Sequence, residues 1–229
     1  MGKTFKRKEM KFILSKEQKE GFLKDIGEYI KPDEYERYTI CNMYMDTADR
    51  RLIRKSIEKP IYKEKMRIRS YGKIDEKGKV FLELKKKFDG VVYKRRVNMP
   101  YDEAMHYIEG EACRNGQIES EIDYFLDYYE NLFPFMFISY DRHAFSGIQD
   151  PELRVTFDNN VKWRTVDVAL TSDIYGENLL EVDQYILEIK CAEAMPLWLV
   201  RALSKYKIYK ISYSKYGKAY RKYQEQKWR

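Results

Sequence analysis

The sequence predicts an α+β fold, mainly antiparallel β, with about eight strands and helices between some of them. Three observations predict it. Charged and apolar side chains alternate with a period of two along one stretch after another, which is the signature of a strand with two unlike faces. Asp89-Gly90 lies between two such stretches and is a strong hairpin signal. No repeat, low-complexity linker or shift of composition divides the 229 residues, so one domain spanning 1–229 is expected.

The elements follow in order. Residues 5–13 read as a first strand, and Ser15 with Gln18 forms a capping box. Phe22, Leu23, Ile26, Tyr29 and Ile30 then carry helical spacing to a break at Pro32. A second strand is expected over 37–46, and Thr47 is placed to cap a helix over 48–57. The stretch 62–72 reads Y-K-E-K-M-R-I-R-S-Y-G. As a strand it puts Lys63, Lys65, Arg67 and Arg69 on one face, and Glu64, Met66, Ile68 and Ser70 on the other. A turn at 75–78 leads to a strand over 80–87, which the Asp89-Gly90 hairpin returns through V-V-Y-K-R-R-V.

Helical patterns are expected at 101–109 and 118–130, separated by Asn115-Gly116. Strands return at 133–146 and at 153–163, the latter with a turn near Asn159-Asn160. After a loop around Tyr175-Gly176, residues 179–190 look strand-like. Pro196 opens a short apolar helix to Leu203, and a tyrosine- and lysine-rich tail with an exposed helical end closes the chain.

Composition narrows the function classes. A 44% apolar content with 15% aromatics argues for a folded globule. The formal net charge of +7 suggests an anionic partner without choosing among nucleic acid, membrane surface and phosphorylated small molecules. Cys41, Cys113 and Cys191 are far apart and show no metal or disulfide spacing, so reduced thiols in a cytoplasmic protein are expected. The N-terminus has no apolar signal run and no segment is long enough to span a bilayer, so no membrane insertion is expected.

The charged rows carry the functional reading. Arg7, Glu9 and Lys11 alternate; so do Lys65, Arg67 and Arg69; Glu83, Lys85 and Lys87; Lys94 and Arg96; Tyr140 and Arg142; Arg154, Thr156 and Asp158; and Glu188 with Lys190. Two arrangements satisfy this pattern. An open sheet can leave every charged row in water, or a closed antiparallel barrel can turn the charged rows inward around a polyanion. In the second case the bases grip phosphate oxygens and carboxylates hold a divalent metal. Aromatic residues lie largely on the opposite face, which argues against nucleic acid as the partner. No catalytic triad, HExxH or P-loop is present.

Eight motifs in order carry a resemblance: E-M-K (9–11), Y-M-D-T (44–47), K-M-R-I-R (65–69), E-L-K (83–85), Y-D-R (140–142), R-V-T-F-D (154–158), E-I-K (188–190) and S-K-Y (214–216). Together they resemble the VTC domain, the polyphosphate polymerase branch of the CYTH-like triphosphate tunnel proteins. The resemblance implies a closed eight-stranded tunnel barrel with helices on its outside. It also implies transfer of the terminal phosphate of ATP to a growing polyphosphate chain, with Mn²⁺ or Mg²⁺. Lys11, Lys65, Arg67, Arg69, Lys85, Lys94, Arg96, Arg142, Arg154, Lys190 and Lys215 are then expected to bind phosphate, with Tyr140 as a polar contact. Arg67, Arg69, Lys85, Arg142, Arg154 and Lys190 are the expected catalytic cations.

Glu188 is the expected metal carboxylate, with Glu9 and Glu83 as further candidates. Asp158 is left open between ligand and ion pair. Triphosphatases of the superfamily begin with ExExK, whereas Arg7 stands here in place of the first acid. That change favours phosphoryl transfer over hydrolysis, with a triphosphate hydrolase or a non-catalytic polyphosphate-binding module as the alternatives. A separate membrane partner for export, with recruitment to the inner face of a membrane, is a further expectation.

Overall fold

The computed structural model describes residues 8–89, 91–111, 116–192 and 194–227. Arg7, Gly90, Cys113 and Asn115, on which sequence expectations rest, lie outside the described residues. The strands pair along one path, β1-β9-β7-β6-β2-β3-β4-β5, with the two-residue β8 (Glu177–Asn178) on β7. The ladders β1·β9, β7·β9, β2·β3, β3·β4 and β4·β5 are antiparallel. Among the described residues no ladder joins β1 to β5, so the pairing establishes an antiparallel sheet and not the closed barrel. Three long strands, β2 (Ile30–Asp46), β6 (Phe133–Gly147) and β7 (Arg154–Arg164), contribute to both of the compact units into which the chain divides.

One unit comprises Met1–Thr39, Tyr140–Val161 and Asn178–Ser214. It holds β1 (Lys8–Leu14), β9 (Tyr185–Cys191) and the helices α1 (Lys16–Ile26) and α5 (Leu197–Lys205). Ser15 caps α1 as the sequence predicts: its Oγ accepts from the Gln18 N–H, and Gln18 Oε1 accepts from the Ser15 N–H. The core gathers Phe12 and Leu14 of β1, Val155 and Phe157 of β7, and Leu187 and Ile189 of β9. Phe22 and Ile26 of α1 and Leu199 and Leu203 of α5 close it. The Cys191 thiol is buried here and free.

The other unit comprises Ile40–Ser139, Lys162–Glu177 and Lys215–Arg229. It holds β3 (Tyr62–Tyr71), β4 (Lys79–Phe88), β5 (Val91–Pro100), α2 (Arg51–Ile57), α3 (Tyr101–Ile108), α4 (Gln117–Tyr129) and α6 (Lys215–Lys227). Burial along β3 alternates residue by residue: Glu64, Met66, Ile68 and Ser70 are buried, and Lys63, Lys65, Arg67 and Arg69 are half-buried. The apolar row packs with Leu82 and Leu84 of β4 against Tyr107 of α3 and Ile122 and Phe125 of α4. The sheet thus gives its hydrocarbon to the helices and keeps its charges on the other face. Cys41 is buried in this core.

Three local expectations are corrected. β2 begins at Ile30 and runs through Pro32, because a proline is tolerated in a strand where no ladder N–H is required. β7 continues past Asn159-Asn160 without a turn; Asn160 has φ 48°, a left-handed conformation that asparagine tolerates inside a continuous strand. Only Tyr185–Cys191 of the stretch 179–190 is regular strand, since Asp183 at φ 61° turns the chain just before it. The helical end expected at the tail is the last part of α6: residues 221–227 are mostly exposed, while Tyr216, Ala219 and Tyr220 nearer its start are buried.

Candidate functional site

In the unit built around β3 and β4, the register sets the charged side chains in lateral rows. Tyr44 faces Arg67, Arg67 faces Glu83, and Glu83 faces Arg96. One row along, Lys65 faces Lys85 and Lys85 faces Lys94. On the other side, Asn42 faces Arg69 and Arg69 faces Phe81. Glu83 is 2% exposed and sits at the centre. Its carboxylate meets Arg67 at 2.6 Å, Arg69 at 3.8 Å, Lys94 at 2.5 Å and Arg96 at 3.7 Å. Burial opposes its charge, but Arg67, Arg69 and Lys94 outweigh that and hold its carboxyl well below the usual range.

Each arginine in this cluster has a second support. Arg67 donates from NH1 to the Tyr44 hydroxyl at 3.2 Å, Arg69 donates from Nε to Asn42 Oδ1 at 3.1 Å, and Arg96 lies over the Phe81 ring at 3.5 Å. Desolvation, with the charges of Arg69 and Arg67, brings the Lys94 ammonium down to about 8 against the pull of Glu83. Lys215 stands at the first position of α6. With one carboxylate among Arg67, Arg69, Lys94 and Arg96, and Lys65 and Lys85 in the next row, the face carries a surplus of positive charge. Such a surplus suits an anion with several charges.

The unit built around β1 and β9 is organised differently. Glu9 faces Lys190, which faces Arg154; Lys11 faces Glu188, which faces Thr156. Lys11 Nζ lies 3.0 Å from Glu9 and 3.6 Å from Glu188, and Lys190 Nζ lies 2.7 Å from Glu188. Desolvation works against the Lys11 charge, but Glu188 and Glu9 overcome it and raise its pKa. Arg142 donates to both oxygens of Asp158, at 2.7 and 2.8 Å, and its guanidinium lies 5.3 Å from the Tyr140 ring centre. Arg154 donates to Asp33. Asp158 is fully buried and engaged at both oxygens, which settles it as the ion-pair partner of Arg142.

The carboxylates of the two clusters suit different roles. Glu9 and Glu188 both reach the Lys11 ammonium, so their oxygens converge on one small region. The buried Thr156 hydroxyl, opposite Glu188 in the ladder, has no hydrogen-bond partner among the described residues. Two hard carboxylates and a spare hydroxyl fit Mg²⁺ or Mn²⁺. Among the described residues no group of three or more His, Cys, Asp or Glu is placed to hold a metal alone. Phosphate oxygens and water are the natural remaining ligands of such an ion. Glu83 is the more heavily surrounded by cations: a dication there would face Arg67, Arg69, Lys94 and Arg96, against Lys11 and Lys190 beside Glu9 and Glu188.

The family model of the VTC domain matches residues 6–224. This chain belongs to the VTC domain family. The match spans all eight ordered motifs and agrees with the resemblance drawn from them. A Bacillus halodurans protein described as a candidate adenylate cyclase is similar in fold, with 16% identity and a TM-score of 0.57 over 91% of this chain and 95% of that one. A candidate adenylate cyclase from Vibrio parahaemolyticus aligns at 12% identity and a TM-score of 0.46, covering 93% of this chain and 96% of that one. No curated protein matches the chain. Among the described residues, no helix is long and apolar enough to cross a membrane.

Several side chains that support these clusters carry no signal in the sequence. Asn42 alternates with Tyr44 along β2, but a lone amide in an apolar strand does not stand out. Asp33 is masked by Pro32, which reads as a boundary. Thr156 lies inside one of the eight motifs, and its role depends on a register that only the paired strands reveal.

Proposed function

We propose that this VTC domain is a polyphosphate polymerase that transfers the terminal phosphate of ATP to a growing polyphosphate chain. The observation that carries the reading is the surplus of cations around Glu83, set in lateral rows whose pitch suits a linear string of phosphates. Strands stand about 4.8 Å apart, so the cations of a row meet successive phosphates along a chain. On this reading Lys65, Arg67, Arg69, Lys85, Lys94, Arg96 and Lys215 bind phosphate in one unit, and Lys11, Tyr140, Arg142, Arg154 and Lys190 do so in the other. A sheet closed into a tunnel barrel belongs to the same proposal.

Phosphoryl transfer asks for alignment and charge stabilisation more than for covalent chemistry. A terminal oxygen of the acceptor chain attacks the γ-phosphorus of ATP. The bond from that phosphorus to the β–γ bridging oxygen breaks, and ADP leaves with the electron pair. The attacking oxygen is already anionic at neutral pH, so no protein base is required. Arg67, Arg69, Lys85, Arg142, Arg154 and Lys190 orient the phosphates and offset the charge that builds on their oxygens. Glu9 and Glu188 would hold the Mg²⁺ or Mn²⁺, which when bound neutralises phosphate charge and polarises the P–O bond. The reading places the chain in the cytoplasm, with a separate membrane partner to receive the polymer.

Incubation of the purified protein with γ-labelled ATP and Mn²⁺, followed by gel electrophoresis, tests the proposal. A ladder of labelled polyphosphate is expected, and equimolar ADP should accompany it. Labelled orthophosphate alone would make the protein a hydrolase. No turnover with retained polyphosphate binding would make it a binding module.

A further inference from the structure

Two of the ordered motifs, Y-M-D-T (44–47) and S-K-Y (214–216), supply three side chains that play no part in the reaction above, namely Tyr44, Asp46 and Tyr216. The structure joins them. Asp46 is fully buried, and its carboxylate accepts from the backbone N–H groups of Thr47 at 3.0 Å, Leu52 at 2.9 Å and Ile53 at 3.1 Å. It also accepts from the Tyr216 hydroxyl at 2.7 Å. Asp46 therefore ties the start of α2 to the first turn of α6. Tyr216 is 1% exposed, and its ring stacks on Tyr44 with centroids 4.2 Å apart and planes 15° from parallel.

Beyond that stack lie two cations of the phosphate row. The Tyr44 hydroxyl accepts from Arg67 NH1 at 3.2 Å, and Lys65 Nζ stands 5.6 Å from the centre of the Tyr216 ring. Arg67 is gripped at its other nitrogens by Glu83, from Nε at 2.8 Å and NH2 at 2.6 Å. Glu83 and Tyr44 together thus fix the plane of the guanidinium, and the remaining N–H groups have a set direction. The Lys65 ammonium lies within cation–π range of the Tyr216 ring.

We propose that Tyr44 and Tyr216 are positioning residues: Tyr44 aims Arg67, and Tyr216 braces Tyr44 and Lys65, so that docking of the first turn of α6 completes the phosphate row. The inference rests on the reading of that row as a phosphate site. It adds two aromatic residues that touch no phosphate and act through the cations.

A double-mutant cycle on tripolyphosphate binding, read by isothermal titration on the full chain, tests it. Tyr44→Phe keeps the stack and removes only the acceptor for Arg67, so affinity should fall about fivefold, the net effect of one ordinary hydrogen bond acting through the cation it aims. The same substitution in an Arg67→Ala background should change affinity by less than about 1.5-fold, because the group it positions is gone. Tyr216→Leu should weaken binding more than Tyr216→Phe, which retains the ring under Tyr44 and Lys65. An equal loss from Tyr44→Phe with and without Arg67 would overturn the inference and leave the phosphate site standing. Absence of tripolyphosphate binding by the unaltered protein would overturn both.

Discussion

The clusters of the two units use the same residue types to opposite ends. Around Glu83, one buried carboxylate is shared by Arg67, Arg69, Lys94 and Arg96, and the excess charge calls for an external anion. On β1, β6, β7 and β9 the cations meet carboxylates of their own: Lys11 and Lys190 at Glu9 and Glu188, Arg142 at Asp158, Arg154 at Asp33. The balance of acid to base, rather than the number of cations, separates the two clusters; on the proposed reading the first recruits phosphate and the second can also take a metal.

Removing an arginine from each cluster gives the sharpest contrast. Arg142→Ala strands Asp158, which is fully buried, without its counter-charge. Urea unfolding should show a loss of about 3–5 kcal/mol. Arg67→Ala leaves Glu83 with Arg69, Lys94 and Arg96, so its stability should change by less than about 1 kcal/mol. Its cost appears in the ligand: calorimetry should show tripolyphosphate binding weakened by about 2–5 kcal/mol. Similar stability losses in the two variants would erase the distinction.

The carboxylates separate next. Glu188→Gln should raise the Mn²⁺ concentration for half-maximal polymer synthesis by about tenfold or more, while chelation of the metal abolishes synthesis and added Mn²⁺ restores it. Glu83→Gln should leave that metal requirement in place and lower the melting temperature, since Arg67, Arg69, Lys94 and Arg96 lose their shared counter-charge. Tripolyphosphate should recover more of that stability than it adds to the unaltered protein.

The smallest effect belongs to pH. With its pKa at about 8, the Lys94 ammonium is charged below that value and neutral above it. An anion binds the charged form better, so tripolyphosphate affinity should fall by about threefold between pH 7 and 9. Lys94→Met should flatten that dependence. A profile unchanged by the substitution would place the titration elsewhere.

Much of this arrangement is legible in the sequence because a strand's period of two writes its faces directly. The row Lys65, Arg67, Arg69 follows from alternation alone, and so does the core row Met66 and Ile68. Motifs in a fixed order then point to the family. What stays hidden depends on partners far along the chain. No local pattern pairs Asp33 with Arg154 across 121 residues, or Tyr216 with Asp46 across 170. Burial at the start of α6 is hidden for the same reason, since Tyr216 finds its place only against Asp46 and Tyr44. Glu83 reads as a metal candidate because an E-L-K motif shows its own lysine and not the arginines on the strands at either side.

Crystals grown with Mn²⁺ and tripolyphosphate, with the metal located by its anomalous signal, test the central division most directly. The account predicts the Mn²⁺ peak against the carboxylates of Glu9 and Glu188, and phosphate density along the row of Lys65, Arg67, Arg69 and Lys85. A peak on Glu83, or a row of Lys65, Arg67, Arg69 and Lys85 without phosphate, would contradict it.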